Sequence, residues 1–343
     1  MWRGNRTVRR ALRTGIPARP ETSLVTIDPQ AQAVLDAIAK AGRDEPQPKS
    51  DADRLARARR DAAGLARFSG EPVCVASVTD VEATGPDGAP LPIRLYRPAR
   101  GEDLPVLLWC HGGGAIAGSV ETHDPALRAL ADSTGWAIAA VEYRLAPEHP
   151  FPAQHEDCMA ALGFLAADGE RLGLDAARLV VGGDSIGGLY ATTLARLARD
   201  AGGPALLGQV ILYPNTDLRL DRDWPSLAEN EGNVMTRDSL AFEISSTVPD
   251  AATRASPLAS PLLCDDLAGL PPALLVTCGL DPLRDEGIAY GDRLAAAGVG
   301  VEHRHHPRMI HAFLQMGGWI ADTNRLQGEI AEFLSRVGVV RPA

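Results

Sequence analysis

No apolar run in the 343-residue chain approaches the ~20 residues that a membrane-spanning helix needs, so the sequence predicts no stable membrane insertion. Cysteine is scarce: Cys74, Cys110, Cys158, Cys264 and Cys278 are scattered, odd in number and without paired spacing. That pattern argues against a disulfide framework and a cysteine-based zinc site. It predicts reduced thiols in a cytoplasmic protein, with Cys110 and Cys278 buried in apolar strand-like runs. Positive charge is in the minority, 34 Lys and Arg against 44 Asp and Glu, for a net charge of −10. A chain of that sign repels phosphate backbones, so nucleic acid is not an expected partner. Aromatic residues make up only 5% of the chain and give no sign of a large aromatic binding face. Repeats and long low-complexity tracts are absent. What is left is an ordinary globular composition, 45% hydrophobic and 23% charged, at a length that suits one large α/β domain or two modest ones.

Against the acidic whole, the first twenty residues hold six arginines (Arg3, Arg6, Arg9, Arg10, Arg13 and Arg19) with no apolar stretch after them. A secretory signal needs such a stretch, so residues 1–22 read as a basic, disordered tail. Residues 23–70 carry two helical patterns. The first, at 29–41, has Val34, Leu35, Ile38 and Ala41 on one side, with Asp28 and Pro29 as N-cap and first turn. The second, at 52–68, has Leu55, Ala58, Ala62 and Leu65. Both precede every strand and read as cap helices. Residues 73–83 and 91–96 read as strands paired antiparallel across Pro86-Asp87-Gly88. Beyond them, short apolar strands at 106–110, 136–141, 179–182, 210–213, 273–278 and 301–305 alternate with helices at 126–134, 153–167, 189–198, 287–297 and 323–337. Such alternation predicts a mostly parallel sheet covered on both faces, with right-handed crossovers. The link between the strands at 210–213 and 273–278 is far longer than one crossover helix needs. Residues 215–265 therefore read as an inserted cap segment, interrupting a core of residues 71–214 and 266–343.

The chemistry centres on Gly183-Asp184-Ser185-Ile186-Gly187, which follows the apolar run 179–182 and precedes a helix. A sharp strand-to-helix turn crowds Cβ atoms, so the positions two before and two after its centre must be small, and the central Ser185 stands exposed at a strand's carboxyl end. A serine hydroxyl is a weak nucleophile at neutral pH. It needs a base, an acid to orient the base, and donors aimed at the oxygen that becomes negative. His311, after the last strand, is the candidate base. Asp281, closest to the end of the strand at 273–278, is the candidate acid, with Asp285 and Glu286 as rivals at a helix start. His303, His305 and His306 are rival histidines. The first two share a strand face, but no third ligand at suitable spacing supports a metal pair. His111-Gly112-Gly113-Gly114, directly after the strand at 106–110, offers bare backbone N–H groups. It lacks the Gly-Lys-Ser/Thr ending of a phosphate loop. With the N–H of Ile186 these glycines make a candidate oxyanion hole, and His111 reads as a loop-orienting residue. The chain order Ser185, Asp281, His311 is that expected of an α/β-hydrolase.

On these motifs the chain resembles the hormone-sensitive lipase family of α/β-hydrolases, the bacterial group IV esterases. The resemblance rests on His111-Gly112-Gly113-Gly114, on Tyr143-Arg144-Leu145-Ala146-Pro147-Glu148-His149-Pro150-Phe151-Pro152-Ala153, on Gly183-Asp184-Ser185-Ile186-Gly187-Gly188, on Asp281-Pro282-Leu283-Arg284-Asp285-Glu286-Gly287 and on His311-Ala312-Phe313. It spans roughly residues 70 to 337. It implies an eight-stranded sheet with a cap, and hydrolysis of short- to medium-chain acyl esters without a cofactor. It also implies the triad Ser185, Asp281 and His311, with Gly113, Gly114 and Ile186 as oxyanion donors. The expected partner is a small acyl ester, and a homodimer is compatible with the reading. An amidase, a lactonase or an acyltransferase would use the same triad, whereas a non-catalytic receptor on this scaffold would not need His311. Four positions depart from the family pattern. Ile186 stands where alanine is usual and narrows the acyl site, and Ala115 stands where an aromatic is common and widens it. Ala312 replaces the usual glycine, and Arg308 falls where glycine is frequent.

Overall fold

A computed structural model of the chain describes residues 26–43, 45–98 and 103–339, so the expected basic tail lies outside the described residues. Two helices come first, α1 (Pro29–Gly42) and α2 (Asp51–Gly64). Asp28 caps α1 by accepting from the Gln30 N–H at 2.8 Å, and Ser50 caps α2 by accepting from the Asp53 N–H at 3.1 Å. α2 stops short of the expected residue 68 because Leu65–Phe68 tighten into a 3₁₀ turn, which carries the Phe68 ring into the core.

The strands are β1 (Ser77–Thr84), β2 (Pro90–Arg97), β3 (Leu104–Cys110), β4 (Ala137–Val141), β5 (Leu174–Asp184), β6 (Gly208–Leu212), β7 (Ala273–Leu280) and β8 (Val301–Ile310). They form one eight-stranded sheet in the order β1-β2-β4-β3-β5-β6-β7-β8. β2 pairs antiparallel with both β1 and β4, and every other pairing is parallel. The parallel strands are short and apolar because both faces are covered. α4 (Ala153–Asp168), α5 (Ile186–Asp200) and α9 (Arg284–Ala296) bury Leu162, Leu194 and Leu294 with Leu108, Val181 and Leu275 on one face. α3 (Val120–Thr134) and α10 (Asp322–Val337) bury Leu127, Ile330 and Phe333 with Trp109, Val180 and Val210 on the other.

Two boundaries move for identifiable reasons. α3 begins at Val120, ahead of the expected residue 126, because Ser119 and Thr122 form a reciprocal capping box upstream of Pro125. β8 runs on to Ile310, past the expected 305, through a register irregularity opposite Gly279 and a final pairing of Leu280 with Ile310. Cys110 and Cys278 are buried as expected, and Cys158 and Cys264 join them.

Between β6 and β7 lie α6 (Pro225–Glu229), α7 (Arg237–Thr247) and α8 (Ala251–Arg254). α7 meets α2 through Arg54, whose Nη2 lies 2.6 Å from Asp238 Oδ2 and whose guanidinium sits 4.4 Å from the Phe242 ring centroid. Leu55, Ala58, Ala62 and Phe242 pack on Ile116, Ala117 and Ala146, so both helices lie over the loop that leaves β3. Among the described residues no helix is long and apolar enough to cross a membrane.

Candidate active site

The turn from β5 into α5 is as sharp as its sequence requires. Ser185 at its centre has φ 57° and ψ −123°, a conformation few L-residues adopt. A Cβ on Gly183 would lie 2.3 Å from the Gly187 carbonyl oxygen, and one on Gly187 would lie 1.9 Å from the Cys110 carbonyl oxygen. The two glycines are thus fixed by backbone contact between the turn and β3. The turn is tied to the next strand by the Ser185 N–H, which donates to Leu212 O at 2.9 Å.

Three residues distant in sequence meet at this turn. Ser185 Oγ lies 3.0 Å from His311 Nε2, and His311 Nδ1 lies 2.8 Å from Asp281 Oδ2. All three are buried. Asp281 is the first residue after β7, and its other carboxylate oxygen accepts from the Leu283 N–H at 2.8 Å. His311 is the first residue after β8, so the extra length of that strand delivers it to the site. Burial presses the His311 pKa down, but the charge and hydrogen bond of Asp281 outweigh it and leave the imidazole above its ordinary value. The Tyr213 ring, 4.9 Å away by centroid and edge-on, walls the imidazole. Ala312, where the resembled family carries glycine, sits at φ 63°, a left-handed conformation that glycine adopts without strain.

The rivals fall elsewhere. Asp285 accepts from the Ser226 N–H at 2.9 Å, and Glu286 is buried against Arg222 and the Thr216 N–H. His303 and His305 both reach Thr277 Oγ1, at 2.7 and 2.9 Å. His306 bridges Asp322 and Glu329 and ties β8 to α10. Among the described residues no cluster of His, Cys, Asp and Glu is arranged to hold a metal ion.

The glycine loop after β3 lies beside Ser185, and each glycine is needed for a different reason. A Cβ on Gly112 would strike the Asp184 carboxylate, one on Gly113 the Ala117 carbonyl, and one on Gly114 the Glu243 side chain. Gly113 and Gly114 also take φ values of 121° and 62°. His111 has its partners within the loop and beneath it. Its ring stacks on Tyr143 at 4.1 Å, the Tyr143 hydroxyl donates to His111 O at 2.7 Å, and burial pushes the imidazole pKa down to about 3. That is the loop-orienting part expected of it, and it gives Tyr143 a reason to belong to the motif.

Several roles at the site escaped the sequence reading, even that of Asp184, which lies inside the motif around Ser185. Asp184, buried beneath the loop, accepts from the Gly112 N–H at 3.1 Å and the Trp109 indole at 3.3 Å, and pairs with His123 Nε2 at 3.3 Å. Burial alone would raise the Asp184 pKa, and His123 holds it below the ordinary value instead. Asn215 brings its side-chain oxygen to 3.5 Å from Ser185 Oγ. Glu243 reaches in from α7. The usable signal for Asp184 was a charged residue inside an otherwise apolar or small-residue stretch, whereas His123, between Thr122 and Asp124, offered none.

A serine at a strand-to-helix turn, in contact with a histidine at the carboxyl edge of a sheet with this strand order, defines the fold of an α/β-hydrolase. The profile of the α/β hydrolase fold family matches residues 107–315. The carboxylesterase NlhH of Mycobacterium tuberculosis is 38% identical over 304 residues, 87% of this chain and 90% of that protein. The ethyl acetate hydrolase of Pseudomonas putida is 36% identical over 313 residues, covering 88% and 96% respectively. Among solved structures, an esterase of Pyrobaculum calidifontis superposes with a TM-score of 0.82 at 33% identity, over 92% of this chain and all of its own. The chain belongs to the α/β-hydrolase fold family, in the branch of hormone-sensitive-lipase-like carboxylic ester hydrolases.

Proposed function

We propose that the chain is a serine carboxylesterase that hydrolyses short- to medium-chain acyl esters through an acyl-enzyme. The observation that carries this reading is the unbroken relay from Ser185 Oγ through His311 to Asp281, with contacts of 3.0 and 2.8 Å. His311 takes the proton of Ser185 as the hydroxyl attacks the ester carbonyl, and Asp281 holds the imidazole in the right tautomer and stabilises its cation. The N–H groups of Gly113, Gly114 and Ile186 receive the oxyanion. His311 then gives its proton to the departing alcohol, and water activated by the same imidazole clears the acyl group. None of these steps calls for a cofactor. The name of the carboxylesterase NlhH agrees with an ester substrate, and that of the ethyl acetate hydrolase with a small acyl group. Residues 23–70 and 215–265 act together as a cap over the carboxyl edge of a core formed by 71–214 and 266–343. The contacts of α2 and α7 with each other and with the loop after β3 favour that division.

The base must be neutral to act, and its folded pKa is raised above 6.5. For a short-chain p-nitrophenyl ester, kcat/KM is therefore expected to be level above that pKa. It should fall about tenfold per pH unit below it, with a midpoint on the alkaline side of an ordinary histidine. A pH profile with no acidic limb above pH 6 would contradict His311 as the base. Gly114→Ala should lower kcat by about 10² or more, because the new Cβ pushes on Glu243 and shifts an oxyanion donor.

A further inference from the structure

α7 sets a carboxylate against the oxyanion loop. Glu243 and Thr247, one helical turn apart, both meet Gly114. Thr247 Oγ1 donates to Gly114 O at 3.3 Å, and a Cβ on Gly114 would lie only 2.4 Å from Glu243 Oε2. The helix that carries them is fixed from behind by Arg54 and by the burial of Leu240 and Ile244. Glu243 is surrounded by protein yet remains partly open to solvent. Its burial pushes the carboxyl pKa up to about 7, against the charges of His311 and Arg222. Both groups are committed elsewhere, His311 to Asp281 and Ser185, and Arg222 to Glu286 at 3.2 Å. Among the described residues no donor hydrogen-bonds the Glu243 carboxylate oxygens.

Such a charge has a definite effect on the reaction. When an ester carbonyl collects negative charge beside the N–H groups of Gly113 and Gly114, an ionised Glu243 opposes it across a short, poorly solvated gap. A substrate that brings its own positive charge cancels that opposition and supplies the missing partner. We propose that Glu243 determines specificity, selecting esters that carry a cationic nitrogen within a few bonds of the scissile carbonyl over uncharged esters of the same shape. This rests on the esterase reading of Ser185 and on Gly114 as an oxyanion donor.

The test compares kcat/KM at pH 8, where Glu243 is ionised, for two isosteric pairs. One is acetylcholine and its analogue with a quaternary carbon in place of the nitrogen. The other is glycine betaine methyl ester and its carbon analogue. Together they place the cation on the alcohol side or the acyl side. Wild type, Glu243→Gln and Ser185→Ala are assayed with all four esters. The cationic-to-neutral ratio within one preparation is independent of how much protein is active. The glutamine keeps the shape and removes the charge, so this ratio is expected to fall about tenfold or more in at least one pair. A smaller change in both pairs overturns the role of Glu243. If that happens while Ser185-dependent hydrolysis of the neutral esters persists, the esterase reading survives. Wild-type protein that cleaves none of the four esters overturns the cation selectivity, and the esterase reading falls with it only if a short-chain p-nitrophenyl ester is not cleaved either.

Discussion

Ser185→Ala is expected to lower kcat for a short-chain p-nitrophenyl ester by about 10⁴ to 10⁶, with little change in KM. The methyl side chain fits the turn without disturbing it, so the loss reports the missing nucleophile. Melting temperature and circular dichroism should match wild type. His311→Ala should cost a comparable factor, and the double variant no more than either single one, because the two groups act as one unit through the 3.0 Å contact. Asp281→Asn, which frees the imidazole to take the wrong tautomer, should cost about 10⁴. Losses that multiply in the double variant would mean that Ser185 and His311 do not work together.

Gly187→Ala is expected to destabilise the protein severely. A Cβ there would sit 1.9 Å from Cys110 O, 2.7 Å from Cys110 C and 2.8 Å from His111 O, all backbone atoms of β3 and the oxyanion loop that cannot swing aside. Overpacking against rigid backbone costs about 3 kcal/mol or more, and here it also pushes Ser185 away from the glycine loop. Insoluble expression, or a melting temperature many degrees lower, is the anticipated result. Gly163→Ala is the matched control. That glycine lies exposed in α4, with nothing within 4 Å of where the added methyl group would sit, and should gain about 0.5–1 kcal/mol from lower chain entropy. Equal effects from the two substitutions in thermal melts would contradict the account of the turn.

Much of this architecture could be read from the chain because the determining signals are local. Strand-helix alternation, the small residues around Ser185 and the three glycines after Cys110 each answer a steric demand within a few residues. That Asp281 meets His311, while Asp285 and Glu286 turn to other partners, follows a local rule as well. The first residue beyond a strand end is the one turned toward the carboxyl edge. What escaped depends on contacts across long sequence gaps. β8 reaches Ile310 only by pairing with the irregular end of β7. α2 gives way to a 3₁₀ turn where Phe68 is drawn into the core. Asn215 and Glu243 arrive through the long segment between β6 and β7, whose path no periodicity discloses. The part played by His123 depends on Asp184 beneath the glycine loop, a partner 61 positions away.

The most direct test of the central claim is covalent labelling with a fluorophosphonate probe, followed by peptide mapping. An activated serine beside an oxyanion hole should be phosphonylated at Ser185 alone, with labelling lost in Ser185→Ala and greatly slowed in His311→Ala. Esterase activity that persists while Ser185 stays unmodified, or label found on another residue, would contradict it.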